Sequence, residues 1–119
     1  MDLDLIDSEG KVQIEVGGIK FNFRPVREID TVFAMSILKY IDMSRADLQG
    51  IDLSTSTKHV FAALQGIEGE IKAAGETLTL EKLKELHEQG KLQFSFTRKI
   101  TVNWAYEIAR LQGFLQLAQ

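Results

Sequence analysis

The chain has 119 residues and a formal net charge of −3, a size that fits one domain with its own hydrophobic core. It contains no cysteine, which excludes disulfides, thiolate metal ligands and cysteine nucleophiles. Lysine and arginine form no dense cluster of the kind that binds nucleic acid. The N-terminus is acidic where a signal peptide is basic, and no apolar run approaches the roughly 18 residues of a membrane span. We therefore expect one soluble, cytoplasmic domain over residues 1–119, with no nucleic-acid or membrane partner.

The N-terminal part of the chain predicts a β-hairpin. Residues 1–10 are acidic and are expected to form a loose lead-in or a frayed strand. From Lys11 to Arg24, two runs of alternating apolar residues flank Gly17 and Gly18, and glycines tolerate the positive φ that a two-residue hairpin turn requires. One face of the hairpin then carries six apolar side chains, namely Val12, Ile14, Val16, Ile19, Phe21 and Phe23. Since an isolated hairpin is marginal in water, this face must be covered.

An amphipathic helix is expected next, from about Val26 to Asp42. Pro25 ends the second strand and presets the backbone angle for a helix start. Apolar residues then recur at three- and four-residue steps, which predicts one inward face. That face comprises Ile29, Val32, Phe33, Ser36, Ile37, Tyr40 and Ile41. Because this helix follows the hairpin directly, we expect it to cover the hairpin's apolar face.

Two further helical segments are expected in the middle of the chain. The residues from Ser44 to Asp47 resemble a capping box and predict a turn or two of helix. The capping residues from Asp52 to Thr57 precede a longer helix that runs through Gly66 and Gly69 to a stop at Gly75. The inward residues of this longer helix are Val60, Phe61, Leu64, Ile67 and Ile71.

The C-terminal third predicts two more helices with an ambiguous stretch between them. Thr79 can cap a helix from Leu80 to Gln89, which Gly90 closes. Between residues 91 and 103 the alternation of Leu92, Phe94 and Phe96 predicts a short strand, although a helix that starts near Thr97 also fits the apolar spacing. Asn103 can then cap a last helix whose inward residues are Trp104, Ile108, Leu111 and Leu115.

The expected fold class is therefore α+β, with an N-terminal β-hairpin packed on a mostly helical domain of about four helices. Strands do not alternate with helices along the chain, so a parallel α/β sheet is not expected.

No residue pattern predicts catalysis. The two histidines, His59 and His87, lack carboxylates at ligand-like spacing and are expected at the surface or at helix ends. The acidic residues of the N-terminal segment lack the glycine and the final glutamate of a calcium-binding loop. We therefore expect no enzyme, no catalytic residue, no cofactor-binding residue and no metal site.

The candidate partner-binding residues are apolar side chains near the C-terminus. They are Trp104, Phe94, Phe96, Phe114 and Leu115. Four other phenylalanines already supply a core, so part of this set is available as exposed anchors for a protein partner. The alternative is that these residues complete the core, where aromatic side chains usually lie.

The stretch from Val12 to Asp30 resembles the start of the tail assembly chaperones of long-tailed bacteriophages. Those proteins open with a strand, a glycine turn, a second strand that ends in phenylalanine near a proline, and an amphipathic helix. The matching residues in this chain are Phe21, Phe23, Pro25, Ile29 and Phe33.

The resemblance implies a protein of the host cytoplasm that binds the tape-measure protein and keeps it soluble until tail-tube subunits polymerise around it. It also implies self-association, the absence of catalysis and of a cofactor, and in some members a longer form made by ribosomal frameshifting. A structural virion component, such as a connector or tail-completion protein, is the alternative.

Overall fold

A computed structural model describes residues 11–43 and 53–112. Three expectations lie outside these residues and stay predictions: the lead-in at residues 1–10, the helical turns from Ser44 to Asp47, and the contribution of Phe114 and Leu115. The described part of the chain contains four helices, a three-stranded antiparallel sheet and a separate two-stranded sheet. This arrangement confirms the expected α+β class.

The predicted hairpin is present, with β1 at Val12–Val16 and β2 at Ile19–Phe23. Gly17 and Gly18 turn the chain with φ of 61° and 81°. Positive φ at both central positions is the signature of a type I′ turn, whose twist matches that of the two strands.

The register of the hairpin confirms its apolar face. Val12 lies opposite Phe23, and Ile14 lies opposite Phe21. All four side chains are buried, so cross-strand packing and burial reinforce each other on this side of the sheet.

The prediction of a long middle helix is wrong, because the helix ends early and the residues after it form a third strand. Helix α2 covers Ser54–Ala63, and β3 covers Leu64–Glu68. Strand β3 pairs antiparallel with β2, which satisfies backbone groups that a two-stranded hairpin leaves open. A glycine at position 66 disfavours helix, and in the strand it lies opposite Asn22.

The following residues form a second small hairpin instead of a helix end. Strand β4 covers Ile71–Ala73 and β5 covers Glu76–Leu78, and the two pair antiparallel. Ala74 and Gly75 form the turn with φ of 54° and 81°. Gly75 is therefore a turn residue, and the expectation that it stops a helix is wrong.

Helix α3 covers Leu80–Glu88 and matches the sequence prediction. The hydroxyl of Thr79 accepts a hydrogen bond from the backbone N–H of Lys82 at 3.1 Å, as an N-cap residue should. Gly90 follows the helix with a φ of 69°, which suits a glycine just beyond a helix C-terminus.

The ambiguous stretch belongs to one long helix, α4, at Phe94–Leu111. The strand predicted around Phe94 and Phe96 is therefore wrong, and the alternative helical interpretation was closer. Asn103 lies within the helix and donates its side-chain amide to the carbonyl of Lys99 at 2.7 Å, so it is no cap. Three alternating apolar residues were too short a pattern to outweigh the four-residue spacing that continues to Trp104.

Helix α1 covers Glu28–Met43, but it does not cover the hairpin as expected. Helix α4 lies against β1 and also packs along α1, so α4 is the central layer between them. The ring of Phe96 on α4 lies 6.1 Å from the ring of Phe21 on β2. The sheet is covered by the last helix because α4 offers the broader apolar face, with Ile100, Trp104 and Ile108 all buried.

Candidate protein-binding surfaces

The structure separates the aromatic residues that the sequence singled out. Trp104 is only 1% exposed and lies in the core, so the expectation of a surface anchor at this position is corrected. Phe96 is half-buried against Phe21. Phe94 is 64% exposed, and of these three aromatics it is the one that a partner can reach directly.

A second apolar surface lies on α1, where the sequence placed the core. The outer face of this helix is formed by Ile29, Val32, Met35 and Tyr40, which are 48%, 57%, 42% and 44% exposed. At about 100° per residue, these four side chains lie within about 140° of arc. We call this surface the α1 face. Large apolar side chains gathered on one exposed helix face are typical of an interaction surface.

The orientation of α1 differs from the prediction by about a quarter turn. Its inward residues are Ala34 and Ile37, both fully buried, together with the carboxylate of Asp30. Ile29, Val32 and Tyr40 were predicted to point inward and instead point to solvent. A buried aspartate in the first turn is the feature that the apolar pattern alone did not reveal.

Three donors surround the carboxylate of Asp30. Its Oδ2 accepts hydrogen bonds from Arg24 Nη1 at 2.7 Å and from the backbone N–H of Arg27 at 2.8 Å. Its Oδ1 accepts from Nε2 of His59 at 2.6 Å. A buried carboxylate is tolerated only when donors of this kind replace water. The contact with His59 ties α1 to α2, and the contacts with Arg24 and Arg27 tie α1 to the segment that precedes it. Together they keep Asp30 facing inward and hold the apolar α1 face outward.

Burial alone raises the pKa of Asp30, but the hydrogen bonds from Arg24, Arg27 and His59, together with the charge of Arg24, outweigh it. The pKa of this carboxyl is therefore held below its ordinary value of 3.8. Asp30 is ionised at neutral pH, and the ion pair with Arg24 is part of the folded structure.

His59 belongs to this buried network, which corrects the expectation of a surface or helix-end histidine. Its side chain is 16% exposed, and its ring stacks on Phe33 with a centroid distance of 4.1 Å. Its edge contacts Trp104 at 5.8 Å. The role that this packing supports is structural, since the stack on Phe33, the contact with Trp104 and the hydrogen bond of Nε2 all engage the ring within the protein.

A cleft of about 670 Å³ lies between α2 and α3. Its floor includes Phe61 and His87, whose rings stack at 4.2 Å with an interplanar angle of 6°. The ammonium groups of Lys58 and Lys84 and the carboxylate of Glu88 line the same cleft. The cleft thus combines an aromatic floor with a rim that is positively charged on balance.

A second depression of about 340 Å³ adjoins the first, because Ser54 and His87 line both. It continues past Gly90 to the exposed ring of Phe94. We call the two together the α2 groove. His87 lies in the last turn of α3, as expected for a helix-end histidine, but it is half-buried in the middle of this groove.

The surroundings of His87 lower its pKa below the ordinary value of 6.5. The largest cause is burial, and the positive charge of Lys58 acts in the same direction, while Glu88 opposes them. His87 is therefore neutral at pH 7 and stacks on Phe61 as an uncharged ring.

In residues 11–43 and 53–112, no group of three or more histidine, cysteine or acidic side chains could hold a metal ion. No helix in the part of the chain that the structure describes is both long and apolar enough to cross a membrane.

Comparison of the chain with protein-family models, with curated proteins and with solved structures finds no match. The argument for function therefore starts from the two surfaces: the apolar α1 face and the cationic, aromatic α2 groove.

Proposed function

We propose that this protein is a non-catalytic phage tail assembly chaperone, which binds the tape-measure protein and keeps it soluble in the host cytoplasm. The observation that carries the proposal is the α1 face, where Ile29, Val32, Met35 and Tyr40 are each more than 40% exposed. The hairpin and the start of α1 also contain the residues on which the resemblance to these chaperones is based. A chaperone needs such a surface because its client has apolar side chains that must be shielded from water.

The geometry of the α1 face suits a helical client. Ile29, Val32 and Met35 follow each other at three-residue steps, and Tyr40 lies eight residues, or about two turns, beyond Val32. Helices recognise each other through side chains at such spacings, which fit the grooves between the partner's own rows of side chains. A long, mostly helical tape-measure protein can present apolar stripes of this kind to several copies of the chaperone.

A solubility experiment tests the proposal. A tape-measure protein is co-expressed with the wild-type chain, with the Val32→Ser variant or with the Tyr40→Ser variant, and the soluble fraction of the tape-measure protein is measured. Tyr106→Ser is the matched control, since Tyr106 is 42% exposed, close to the 44% of Tyr40, but lies on α4 beside β1. We expect the wild type and the control to keep the client soluble, and both α1 variants to lose this effect.

Equal loss of client solubility in Tyr40→Ser and Tyr106→Ser would show that the α1 face is not the client surface. Size-exclusion chromatography with light scattering of the same variants reports self-association, which the resemblance to these chaperones implies.

Purified virions separate this proposal from the alternative of a structural component such as a connector or tail-completion protein. A chaperone leaves the assembly before maturation, so quantitative mass spectrometry of particles should detect at most traces of the chain. A fixed number of copies per particle would favour the structural alternative.

A further inference from the structure

We propose that the α2 groove binds an acidic peptide segment of a partner protein, with an aromatic or large apolar side chain of that segment packed near His87 and Phe94. This inference does not depend on the proposed chaperone function, because it concerns a different surface from the α1 face.

The charges of the groove indicate an anionic ligand. Lys58 and Lys84 both line it, and neither forms an ion pair with any residue that the structure describes. Two other exposed lysines are paired, since Lys72 lies 3.9 Å from Glu70 and Lys82 lies 3.8 Å from Glu85. The groove also contains one carboxylate, Glu88, which leaves it net positive on a chain whose overall charge is −3. A partner carboxylate can supply the missing counter-charge.

The apolar part of the groove indicates a peptide with a large side chain. The half-buried ring of His87 stacks on Phe61, which is itself only 2% exposed. His87 therefore provides the aromatic surface of the groove, and the 64% exposed ring of Phe94 ends the groove on the α4 side. Exposed aromatic rings near the centre of a binding surface are common anchors, because each buries a large area at a small entropic cost. A free inorganic anion would use the lysines but leave the ring of Phe94 in water.

The length of the groove fits an extended segment better than a compact ligand. The two depressions share Ser54 and His87 and run from Lys84 on α3 to Thr97 on α4. An extended chain advances about 3.3 Å per residue, so several peptide residues can lie along the groove with acidic and apolar side chains on alternate sides.

Fluorescence polarisation on the full-length protein tests the proposal. The probe is a labelled synthetic peptide in which glutamates flank a central phenylalanine; one control peptide replaces glutamate with glutamine, and another replaces phenylalanine with alanine. We expect the acidic aromatic peptide to bind, each control peptide to bind at least about fivefold more weakly, and high salt to weaken the complex.

A matched pair of protein variants locates the site. The Lys58→Gln/Lys84→Gln variant should weaken peptide binding about five- to tenfold, since each exposed ion pair contributes modestly. The Lys72→Gln/Lys99→Gln variant changes net charge equally outside the groove and should bind as the wild type does. Phe94→Ser should also weaken binding, and thermal unfolding checks that every variant is folded.

The pH dependence of peptide binding gives an independent test, because His87 lies in the groove. A bound carboxylate stabilises protonated His87, so the peptide should bind several-fold more tightly at pH 6 than at pH 8. Lys58, Lys84 and Glu88 are the other charged residues that line the groove. His87→Phe retains a stacked ring and should abolish this pH dependence.

Three results would overturn the proposal. They are no binding of the acidic aromatic peptide at millimolar concentration, equal losses in the two double-lysine variants, and much tighter binding of a single-stranded oligonucleotide than of the peptide at the same site.

Discussion

Helices α1 and α4 are the two longest helices that the structure describes, and they exchange the roles that their sequences indicate. The apolar pattern of α1 predicted a core helix, whereas its Val32 and Tyr40 are exposed. The aromatic residues of α4 were candidates for a partner surface, whereas Trp104 is buried in the core and contacts His59 of α2. The difference shows that apolar periodicity identifies a helix but does not decide which face the rest of the protein covers.

The largest loss of stability that tests this comparison is expected for a substitution at the centre of α4. Trp104→Ala removes a fully buried indole and leaves a cavity, which should lower the free energy of unfolding by about 3–5 kcal/mol. Phe94→Ala, on the same helix but 64% exposed, should change it by less than about 0.5 kcal/mol. Urea denaturation of both variants measures the two values.

A small loss of stability in Trp104→Ala would indicate that Trp104 is exposed, as the sequence analysis proposed for a partner-binding residue. Any change in peptide or client binding by this variant must be measured under conditions in which it is still folded.

The next largest loss of stability is expected when the buried carboxylate of Asp30, which orients α1, is removed. Asp30→Ala leaves the guanidinium of Arg24 and the ring of His59 without their acceptor, and we expect a loss of about 2–4 kcal/mol. Arg24 is only 15% exposed at its side chain, so water replaces the lost contact incompletely. Denaturation measures the loss, and a truncation of the exposed Glu70 on the chain's surface is the control, with an expected effect near zero.

The pH dependence of the same contact has a definite sign. The folded-state pKa of Asp30 is lowered below 3.8, so the unfolded chain binds more protons in the range between the two values. The stabilising contribution is complete above the unfolded pKa and is lost as the pH falls through the folded one. Wild-type stability should therefore drop below about pH 4 more steeply than that of Asp30→Ala, as acid titration of the unfolding midpoint would record.

The protonation of His87 should change the stability less than that of Asp30 does, and it should do so at higher pH. Its folded-state pKa is lowered below 6.5 by burial and by Lys58, so the unfolded chain is protonated first as the pH falls. Stability should decrease from about pH 7 towards pH 5. His87→Phe retains the stack on Phe61 but cannot be protonated, and it should flatten this part of the profile. An unchanged slope in the variant would assign the effect to other groups.

The sequence predicted the elements whose signals are local. The glycine pair between two alternating runs was sufficient for β1 and β2, and Thr79 with Gly90 was sufficient for α3. The third strand was missed because Leu64, Ile67 and Ile71 also fit a helix, and because its pairing partner lies more than forty residues earlier in the chain. Local spacing does not report such a partner.

The candidate surfaces were predicted only in part, for a related reason. Phe94 was named and is exposed, but the α1 face was missed because one buried aspartate outweighs several aliphatic side chains in setting the orientation of the helix. An unpaired buried carboxylate costs more free energy than the burial of a valine gains. The sequence does show Asp30 in the first turn of the helix and Arg24 six residues before it. The contact between Asp30 and His59 could be found only in the folded structure.

The smallest expected change in the free energy of unfolding is for substitutions on the α1 face. Val32→Ser and Tyr40→Ser replace side chains that are more than 40% exposed, so each should change the free energy of unfolding by less than about 0.5 kcal/mol. Ile37 is fully buried on the opposite face of α1, and Ile37→Ser should lower the free energy of unfolding several times more. If Val32→Ser instead destabilises the monomer as strongly as Ile37→Ser does, the α1 face is covered by the chain itself and cannot serve a client. Equal stability combined with lost client solubility would mean that the apolar side chains on this face are retained for binding, since folding does not require them.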